Sequence, residues 1–435
     1  MNLRINKTLM LKGHAVPPSS KSHSIRAIML ASLCQGESAL INTLHSNDTQ
    51  DAIHVCRSLG ANISELNHVL TIKSKGLPFK PLTTEIHSGN SGITTHFVMP
   101  MLGLRESTDR PIILHCSEQM RARPIKPLVE ALTHLGLRIR YLGNENTLPI
   151  SMTGKLVGGK IYVDGTTSQY VSALLFALPC APEDSEINVE QLQERPYAGM
   201  TLNWLKNQGI QCQHLSSGNL DTYKIKGRQK YKTIHTTIPS DFSSASYLIA
   251  AAVLIPGEVF LHGLDMADSQ GDKRLVTILQ TMGADIAIHS TYLHIRGGKK
   301  LSGVNIDAND IPDLLPTLAV IGTYASGKTT LFNVAHARIK ETDRIQSMAN
   351  GLISMGARIN EKDDGLTIYQ SDLHGTQVKG CGDHRTVMAL SVAGLIADGT
   401  TLIDTSEAIN KTFPTFISVM QSIGAKMEAE HAISS

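Results

Sequence analysis

Residues 338–344 read "RIKETDR" and place five charged side chains within seven positions. The segment stands between "TTLFNVAHA" and "IQSMANGLISMGA", which are largely apolar, in a chain of which only 18% of residues are charged. A solvated helix face is the usual explanation of such a run. The alternative is a binding site in which cations hold an anionic substrate and carboxylates transfer protons.

Further polar segments stand directly before six apolar stretches, and they read "SSKSHSIR", "SGNSG", "GTTSQY", "SDFSSAS", "NDIPD" and "GDHR". Helix N-capping explains the Ser, Thr, Asp and Asn residues at these places. It does not explain Lys21, Arg26, His384 and Arg385, since cations are unfavourable near the positive end of a helix dipole. These cations are better explained if the helix starts bind an anion together with them.

A second series of polar segments precedes amphipathic stretches, as "RARPIKPL", "ERPYAGM", "RIKETDR" and "AINKTFP". With equivalent topology, both series lie at one edge, and seven cations converge on one cleft between domains: Lys21, Arg26, Arg123, Lys340, Arg344, Arg385 and Lys411. Because the net charge is only +2, this concentration indicates a multiply anionic small substrate or pair of substrates. Asp313, Glu341 and Asp343 are interleaved with the cations and are candidates for acid–base chemistry.

The elements that must position these residues recur six times along the chain. In each repeat an amphipathic stretch ends in Gly and a strand-like segment follows, as in "CRSLGANI" and "GLISMGARI". The six glycines recur about every 70 residues, and they are Gly60, Gly136, Gly209, Gly283, Gly356 and Gly424. Glycine just past a helix end adopts the left-handed conformation that stops the helix. The spacing therefore predicts a repeated structural unit.

Each repeat also contains an earlier helix that is apolar on all sides, such as "YVSALLFAL" or "VMALSVAGLI", and such helices are buried. The repeat therefore reads β-α-β-α-β-β. Six repeats divide three and three, which predicts two similar α/β domains, each a ring of sheets around three buried helices. We place the first domain at residues 1–18 plus 237–435 and the second at 19–236, with the chain passing between them near Pro18 and Pro239.

Composition narrows the function classes further. Lys and Arg number 40 against 38 for Asp and Glu, so we expect neither nucleic acid nor a charged membrane as a partner. The six cysteines are scattered without a metal-binding spacing, and the N-terminus lacks the apolar core of a signal peptide. We expect a monomeric cytoplasmic protein without a bound metal.

A nucleotide-binding loop is a weaker interpretation of "GTYASGKT" at residues 322–329, which fits G-x-x-x-x-G-K-[ST]. That mechanism needs a strand before the loop and a helix after it. Here a predicted apolar helix precedes the loop and the predicted strand "TTLFNV" follows it. The pattern favours a turn leading out of a helix.

The motifs together resemble the 5-enolpyruvylshikimate-3-phosphate synthase family over essentially the whole chain. The matching segments include "SKSHSIRA", "GNSG", "RPIKPLVEAL", "VDGTTSQYVSALL", "SDFSSASY", "RIKETDR", "GDHR" and "NKTFP". The resemblance implies an inside-out α/β barrel in each domain, with buried parallel helices and the active site in the interdomain cleft. It also implies transfer of the carboxyvinyl group of phosphoenolpyruvate to the 5-hydroxyl of shikimate 3-phosphate, a step toward chorismate and the aromatic amino acids, without any cofactor.

The resemblance also implies roles for individual residues. Phosphoenolpyruvate would be held by Lys21, Arg123, Arg344, Arg385 and Lys411. The shikimate would be held by Ser22, Arg26, Thr167, Ser168, Gln169 and Tyr197. Asp313 would take the 5-hydroxyl proton, and Lys21, Glu341 and His384 are candidates for proton transfer at the enol carbon. Further substrate-binding candidates are Asn90, Gly92 and Lys340.

Four positions depart from the family pattern. Ser19 stands where Gly is usual, Ile93 replaces a Thr and His96 an Arg, while Glu194 stands where a Ser normally contacts the shikimate phosphate. A carboxylate about 4 Å from a phosphate charge repels it by roughly 4 kcal/mol at an effective dielectric of 20. Either Glu194 turns away, toward Arg195 for example, or the acceptor lacks a phosphate at this place.

Three alternatives remain open at this point. A diverged enolpyruvyl transferase would act on another cyclic hydroxy acid, in keeping with the four departures. The sister enzyme that acts on a UDP-amino sugar needs a reactive Cys where this chain has Glu118, and Cys116 lies two positions too early. A binding protein without catalysis would not be expected to keep the charged residues named above.

Overall fold

The computed structural model describes residues 1–430 and separates into two compact units. Unit 1 contains Met1–Ser20 and the chain from Pro239 onward, and unit 2 contains Lys21–Ile238. The chain was predicted to pass between domains after residues 18 and 236. The structure places these passages after residues 20 and 238, two residues later in each case. The N-terminal residues belong to the same unit as the C-terminal half.

Thirteen α-helices occur in the described residues. Their bounds are α1 Lys21–Leu33, α2 Asn47–Ser58, α3 Gly92–Met101, α4 Glu118–Arg121, α5 Lys126–His134, α6 Ser168–Ala177, α7 Arg195–Asn207, α8 Phe242–Leu254, α9 Arg274–Met282, α10 Leu315–Tyr324, α11 Arg344–Ser354, α12 His384–Ile396 and α13 Phe416–Ser422. Short 3-10 helices occur at Leu102–Leu104, Leu178–Cys180, Gly271–Lys273, Pro312–Leu314, Ala335–Ile339 and Ser406–Lys411.

The same residues form 24 strands in six four-stranded sheets. Their bounds are β1 Asn2–Asn6, β2 Leu11–Ala15, β3 Gln35–Ile41, β4 Asn62–Leu66, β5 Val69–Lys75, β6 Glu85–His87, β7 Ile112–His115, β8 Leu137–Tyr141, β9 Ile150–Gly154, β10 Gly159–Asp164, β11 Ser185–Glu190, β12 Cys212–Ser217, β13 Leu220–Ile225, β14 His235–Thr237, β15 Gly257–His262, β16 Asp285–Ile288, β17 Tyr292–Gly297, β18 Asn305–Asp307, β19 Lys328–Phe332, β20 Arg358–Lys362, β21 Gly365–Tyr369, β22 Gln377–Val378, β23 Thr400–Ile403 and β24 Met427–Glu430.

All six sheets share one topology. In the second repeat the order is β6-β7-β9-β8, with β6 and β7 parallel and the remaining pairs antiparallel. The third and fifth repeats give β10-β11-β13-β12 and β18-β19-β21-β20. The predicted α/β class with repeated β-α-β-α-β-β units is confirmed.

The remaining sheets take strands from distant parts of the chain. Strand β14, which follows the third repeat, pairs in parallel with β3 of the first repeat. Strand β2, which precedes the first repeat, pairs in parallel with β15 of the fourth repeat. Strand β1 lies between β23 and β24 of the sixth repeat. Unit 2 therefore completes its sheets with one strand from the far end of its chain segment, β14, and unit 1 with two, β1 and β2.

The six helices predicted to be apolar on all sides form the two cores. In unit 2, α1, α3 and α6 lie within one cluster of buried apolar residues, and in unit 1, α8, α10 and α12 lie within another. Every residue of α3 and of α8 is buried. Because a buried helix leaves its first N–H groups without water, its N-terminus needs polar partners. This requirement concentrates polar side chains at one end of each core.

The six predicted stop glycines all have positive φ angles, from +74° at Gly209 to +105° at Gly283. An added methyl group at Gly136 would lie 2.6 Å from the carbonyl oxygen of Lys155, whereas nothing lies within 4 Å of one at Gly209. The two positions therefore share a backbone conformation but differ in the space around it.

This difference gives a test of the helix stops. Gly209→Ala should lower the free energy of unfolding by about 1 kcal/mol, the cost of a left-handed alanine. Gly136→Ala should lower it by at least about 3 kcal/mol, because backbone atoms must also move to relieve the clash. Urea unfolding of both variants measures the difference. Equal losses would show that the clash at Gly136 is absent.

Candidate active site

The central feature of unit 1 is the guanidinium group of Arg344, the first residue of α11, which is 1% exposed. Its Nε donates to Asp383 Oδ2 at 2.8 Å, its Nη1 to Asp313 Oδ1 at 2.7 Å and its Nη2 to Glu341 Oε2 at 2.6 Å. Three carboxylates thus surround one cation. Buried charges are tolerated when they are paired and hydrogen-bonded in this way.

Two of these carboxylates extend the network to further cations. The other oxygen of Asp313 accepts from Arg385 Nη2 at 2.7 Å, and the other oxygen of Glu341 lies 3.2 Å from Lys411 Nζ. Five of the predicted site residues are therefore connected by ion pairs. They come from four segments of the fifth and sixth repeats. Three of these segments lie at or just before the start of a helix, and Lys411 ends the 3-10 helix Ser406–Lys411.

Helix capping explains how these segments reach one place. Asp383 is the N-cap of α12 and accepts from the backbone N–H of Arg385 at 2.8 Å through Oδ1, which leaves Oδ2 for Arg344. Asp343 caps α11 by accepting from Gln346 N–H. Asp383 therefore both starts α12 and orients Arg344, a cation of the cluster.

Some charges of the "RIKETDR" segment lie at the surface, as a solvated helix face would have them, and others lie in the buried cluster, as a binding site would. Arg338 pairs with Asp343 at 2.7 Å and with Glu361 at 2.9 Å, on the partly exposed side. Glu341 and Arg344 belong to the buried network, and Lys340 is half-buried beside them. Asp343 thus acts as a helix cap and surface partner, which does not support its predicted role in acid–base chemistry.

Burial and charge compete at the centre of the cluster. Burial alone lowers the pKa of Arg344, but Asp383, Glu341 and Asp313 outweigh it and hold that pKa above its usual value. Arg344 is therefore a permanent cation. His384, the first residue of α12, is fully buried, with Nδ1 3.4 Å from Asp383 Oδ1.

Asp272 is an acidic neighbour of this cluster that the motif analysis missed. It lies in the 3-10 helix before α9, is 3% exposed and accepts a hydrogen bond from the Ser243 hydroxyl. Burial, and next the charge of Asp313, raise the pKa of Asp272 to about 7, although Arg385 opposes the shift. The only indication in the sequence was the position of Asp272 before a helix. That position is equally typical of an ordinary helix cap.

In unit 2, Lys21 begins helix α1, and its Nζ lies 3.2 Å from Asp48 Oδ2. Asp48 is 2% exposed and stands in the first turn of α2, where Ser46 forms a capping box with Thr49. The partner of Lys21 was not predicted from the sequence, because an acid in a first helical turn is common without any function. The pair fixes the ammonium group at the start of a core helix.

Arg26 lies on α1 and joins it to α7. Its Nε donates to Thr201 Oγ1 at 2.9 Å, and its other nitrogens donate to the backbone oxygens of Ser22 and Tyr197 and to Ser172 Oγ. Burial lowers the pKa of Arg26 to about 10. Arg26 thus positions Tyr197, and its predicted contact with a substrate stays a prediction.

Gly92, Arg123 and Gln169 meet at the start of α3. A methyl group at Gly92 would lie 2.7 Å from Arg123 Nη1 and 3.1 Å from Gln169 Oε1, so glycine leaves the space that these side chains occupy. His96 Nδ1 lies 2.7 Å from Gln169 Oε1. The backbone N–H of Asn90 donates to Asp51 Oδ2 at 3.0 Å. Ile93, the other departure in this segment, is 8% exposed within the core of unit 2.

At the start of α6, Thr167 and Ser168 enclose the carboxylate of Glu194. Glu194 Oε2 accepts from Thr167 Oγ1 at 3.1 Å, from Ser168 N–H at 3.2 Å and from Ser168 Oγ at 3.0 Å. Arg195, one example of a partner toward which Glu194 could turn, pairs with Asp221 at 3.0 Å. The carboxylate therefore lies on two of the residues predicted to hold the acceptor.

The structure does not support the nucleotide-loop interpretation of residues 322–329. Gly322 lies inside α10, and Lys328 and Thr329 open strand β19. The order of helix and strand is the reverse of the one that phosphate binding needs. Within residues 1–430, no helix combines the length and the apolar character that crossing a bilayer demands.

The chain matches a known protein family over most of its length. Residues 5–420 match the family described as EPSP synthase (3-phosphoshikimate 1-carboxyvinyltransferase). The chain belongs to the EPSP synthase family. A relative named 3-phosphoshikimate 1-carboxyvinyltransferase, from Acetivibrio thermocellus, is 41% identical over 98% of this chain and 99% of its own. One from Methanocaldococcus jannaschii with the same name is 39% identical over 98% of this chain and 99% of its own.

Solved structures agree with the EPSP synthase fold. EPSP synthase from Acinetobacter baumannii superimposes with a TM-score of 0.82 at 25% identity, covering 99% of this chain and 100% of that one. The enolpyruvyl transferase NikO from Streptomyces tendae superimposes with a TM-score of 0.79 at 16% identity, covering 99% of both chains, which bears on the fold alone. The family resemblance recognised in the motifs is therefore confirmed.

The Arg344 network can be tested against the surface pair in the same segment. Arg344→Met should lower the free energy of unfolding by roughly 3–5 kcal/mol, because it leaves buried carboxylates without their cation. Arg338→Met should cost about 1–2 kcal/mol, since its pairs are partly exposed. Urea unfolding measures both. Similar losses would mean that the buried network does not depend on Arg344.

Asp272 predicts a pH dependence of stability. Since its pKa in the folded protein is about 7 against a usual 3.8, the folded state holds a proton that the unfolded state has already released between these values. The free energy of unfolding should therefore fall as pH rises from about 4 to 7, by up to roughly 4 kcal/mol. Asp272→Asn should remove this fall, whereas the same change at exposed Asp372 should not. An unchanged slope in Asp272→Asn would contradict the assignment.

Proposed function

We propose that this protein transfers the carboxyvinyl group of phosphoenolpyruvate to the 5-hydroxyl of shikimate 3-phosphate and releases phosphate. The reaction proceeds by addition and elimination through a tetrahedral intermediate. The observation that carries the proposal is the buried network of Arg344, Arg385 and Lys411 in a member of the EPSP synthase family. Because both relatives are named 3-phosphoshikimate 1-carboxyvinyltransferase, they favour this acceptor over the alternative of another cyclic hydroxy acid.

The cations are suited to phosphoenolpyruvate because it carries a carboxylate and a phosphate on one carbon. Forked guanidinium groups bind both kinds of anion in a bidentate manner. Arg344, Arg385 and Lys411 of unit 1 and Lys21 and Arg123 of unit 2 are its candidate ligands. The place in the shikimate pathway follows from membership of the family, whereas the cytoplasmic location and the monomeric state remain predictions.

The carboxylates of the network share their donors with the proposed substrate. Asp313 and Glu341 accept from Arg344, and Asp313 also accepts from Arg385. An anionic substrate that binds these guanidinium groups competes with both carboxylates for the same hydrogen bonds. Asp313 is then available to accept the 5-hydroxyl proton.

The remaining proton transfers take place at the methylene carbon of phosphoenolpyruvate. Addition of the 5-hydroxyl oxygen to C2 needs a proton delivered to C3, and elimination of phosphate needs one removed from C3. Lys21, Glu341 and His384 are the candidate groups for these steps. Arg344 and Arg385 stabilise the negative charge of the tetrahedral intermediate.

The acceptor is held by residues of unit 2 at the starts of α1, α6 and α7. They are Ser22, Arg26, Thr167, Ser168, Gln169 and Tyr197. Asn90 and Gly92 at the start of α3 are further candidates, as are Lys340 and Asp313. Fixing both reactants in this way lowers the entropic part of the barrier.

Phosphate release with phosphoenolpyruvate and shikimate 3-phosphate tests the proposal. Asp313→Asn should lower kcat by at least about a hundredfold, because the general base is lost. Asp363→Asn, an equal change at an exposed turn of unit 1, should leave kcat unchanged. Lys21→Ala should also abolish turnover.

Two results would contradict the proposal. The first is phosphate release that does not require an acceptor. The second is full activity of Asp313→Asn under conditions in which the unmodified protein turns over.

A further inference from the structure

We propose that Glu194 determines acceptor specificity by filling, with its own carboxylate, the anion-binding start of α6 that the acceptor phosphate requires. This inference rests on the proposed function and adds a residue to it. The carboxylate acts as an internal competitor. Phosphorylated acceptors bind only when Glu194 leaves, whereas an acceptor with a neutral hydroxyl at this place leaves it where it is.

Glu194 uses a convergent set of donors. A single oxygen, Oε2, accepts two hydroxyl hydrogen bonds and one backbone N–H at the start of a ten-residue helix. Convergent donors at a helix N-terminus are a general arrangement for binding anions. Here the anion is part of the protein, and it is 3% exposed.

The backbone at Glu194 is also unusual. Glu194 is the N-cap of α7, yet its side chain makes no capping hydrogen bond to that helix. Its φ of +55° and ψ of +37° are left-handed, a conformation that is rare for residues other than glycine, asparagine and aspartate. The carboxylate is thus directed away from its own helix and onto α6.

The Glu194 carboxylate would also repel an acceptor phosphate. A phosphate that uses Thr167 and Ser168 would stand within hydrogen-bond distance of the position that Glu194 Oε2 now holds. Two anions cannot share these donors, because like charges at such separations repel strongly in a buried site. The competition therefore acts on the phosphate and leaves the hydroxyls of the acceptor ring unaffected.

Calorimetric binding of shikimate 3-phosphate and of unphosphorylated shikimate tests this competition. In Glu194→Ser the affinity for shikimate 3-phosphate should rise at least about tenfold, since a repelling charge is replaced by a hydroxyl donor. The affinity for shikimate should change less than about twofold. Glu194→Gln, which keeps the size of the side chain, should also raise the affinity for shikimate 3-phosphate relative to the affinity for shikimate. Glu190→Ser, at an exposed position on β11, is the matched control.

The unmodified protein gives a test that needs no variant. It should prefer shikimate 3-phosphate over shikimate by less than about tenfold in affinity, whereas an open anion site would give a much larger ratio. Fluorescence of Trp204, the single tryptophan and a residue of α7, checks that the variants keep their fold.

The inference is overturned if the unmodified protein prefers the phosphorylated acceptor by more than about a thousandfold. It is also overturned if folded Glu194→Ser and Glu194→Gln bind shikimate 3-phosphate no better than Glu190→Ser. Turnover assays on the same samples keep the two proposals apart. Tighter binding of shikimate 3-phosphate without any turnover would support the role of Glu194 and contradict the proposed function.

Discussion

A guanidinium group can remain buried in a folded protein only if anions and hydrogen bonds replace the water that it has lost. Arg344 meets this requirement with three carboxylates, and each of them comes from a different segment of unit 1. The requirement fixes where the 3-10 helix at Asp313, the loop at Glu341 and the start of α12 must lie. Arg385 and Lys411 then follow, because they share two of the same carboxylates.

Unit 2 solves a related problem with different groups. Its core helices α1, α3 and α6 are as deeply buried as those of unit 1, but each helix start has its own carboxylate. Asp48 lies beside Lys21, Asp51 accepts from Asn90, and Glu194 accepts from Ser168. Arg26 donates to two backbone oxygens and two hydroxyls, and Glu194 fills the start of α6. The buried cores thus gather polar and charged side chains at the starts of their helices.

Much of this organisation could be predicted from the sequence. The six glycines identified the repeat because a left-handed helix stop depends on one residue and its neighbours only. The buried helices were equally clear, since a helix that is apolar on all sides is stable only where water is excluded. The charged residues at the helix starts were found because they interrupt this apolar pattern, and five of them form one network.

Other features depend on distant parts of the chain and could not be predicted. Nothing in β2 or β14 specifies that each completes a sheet of a remote repeat, because short parallel strands differ little in sequence. Asp272 looks like an ordinary helix-start residue until Asp313 is placed near it. Glu194 could be identified as a departure, but its direction is set by the left-handed backbone before α7.

If the buried cations bind phosphoenolpyruvate for attack at its C2 carbon, the fate of that carbon reports it. It can be followed by ¹³C nuclear magnetic resonance of phosphoenolpyruvate labelled at C2, incubated with the protein and shikimate 3-phosphate. The labelled carbon should become the enol-ether carbon of a new product, with one phosphate released for each molecule formed. Conversion of the label to pyruvate, or an unchanged signal while shikimate 3-phosphate is bound, would contradict it.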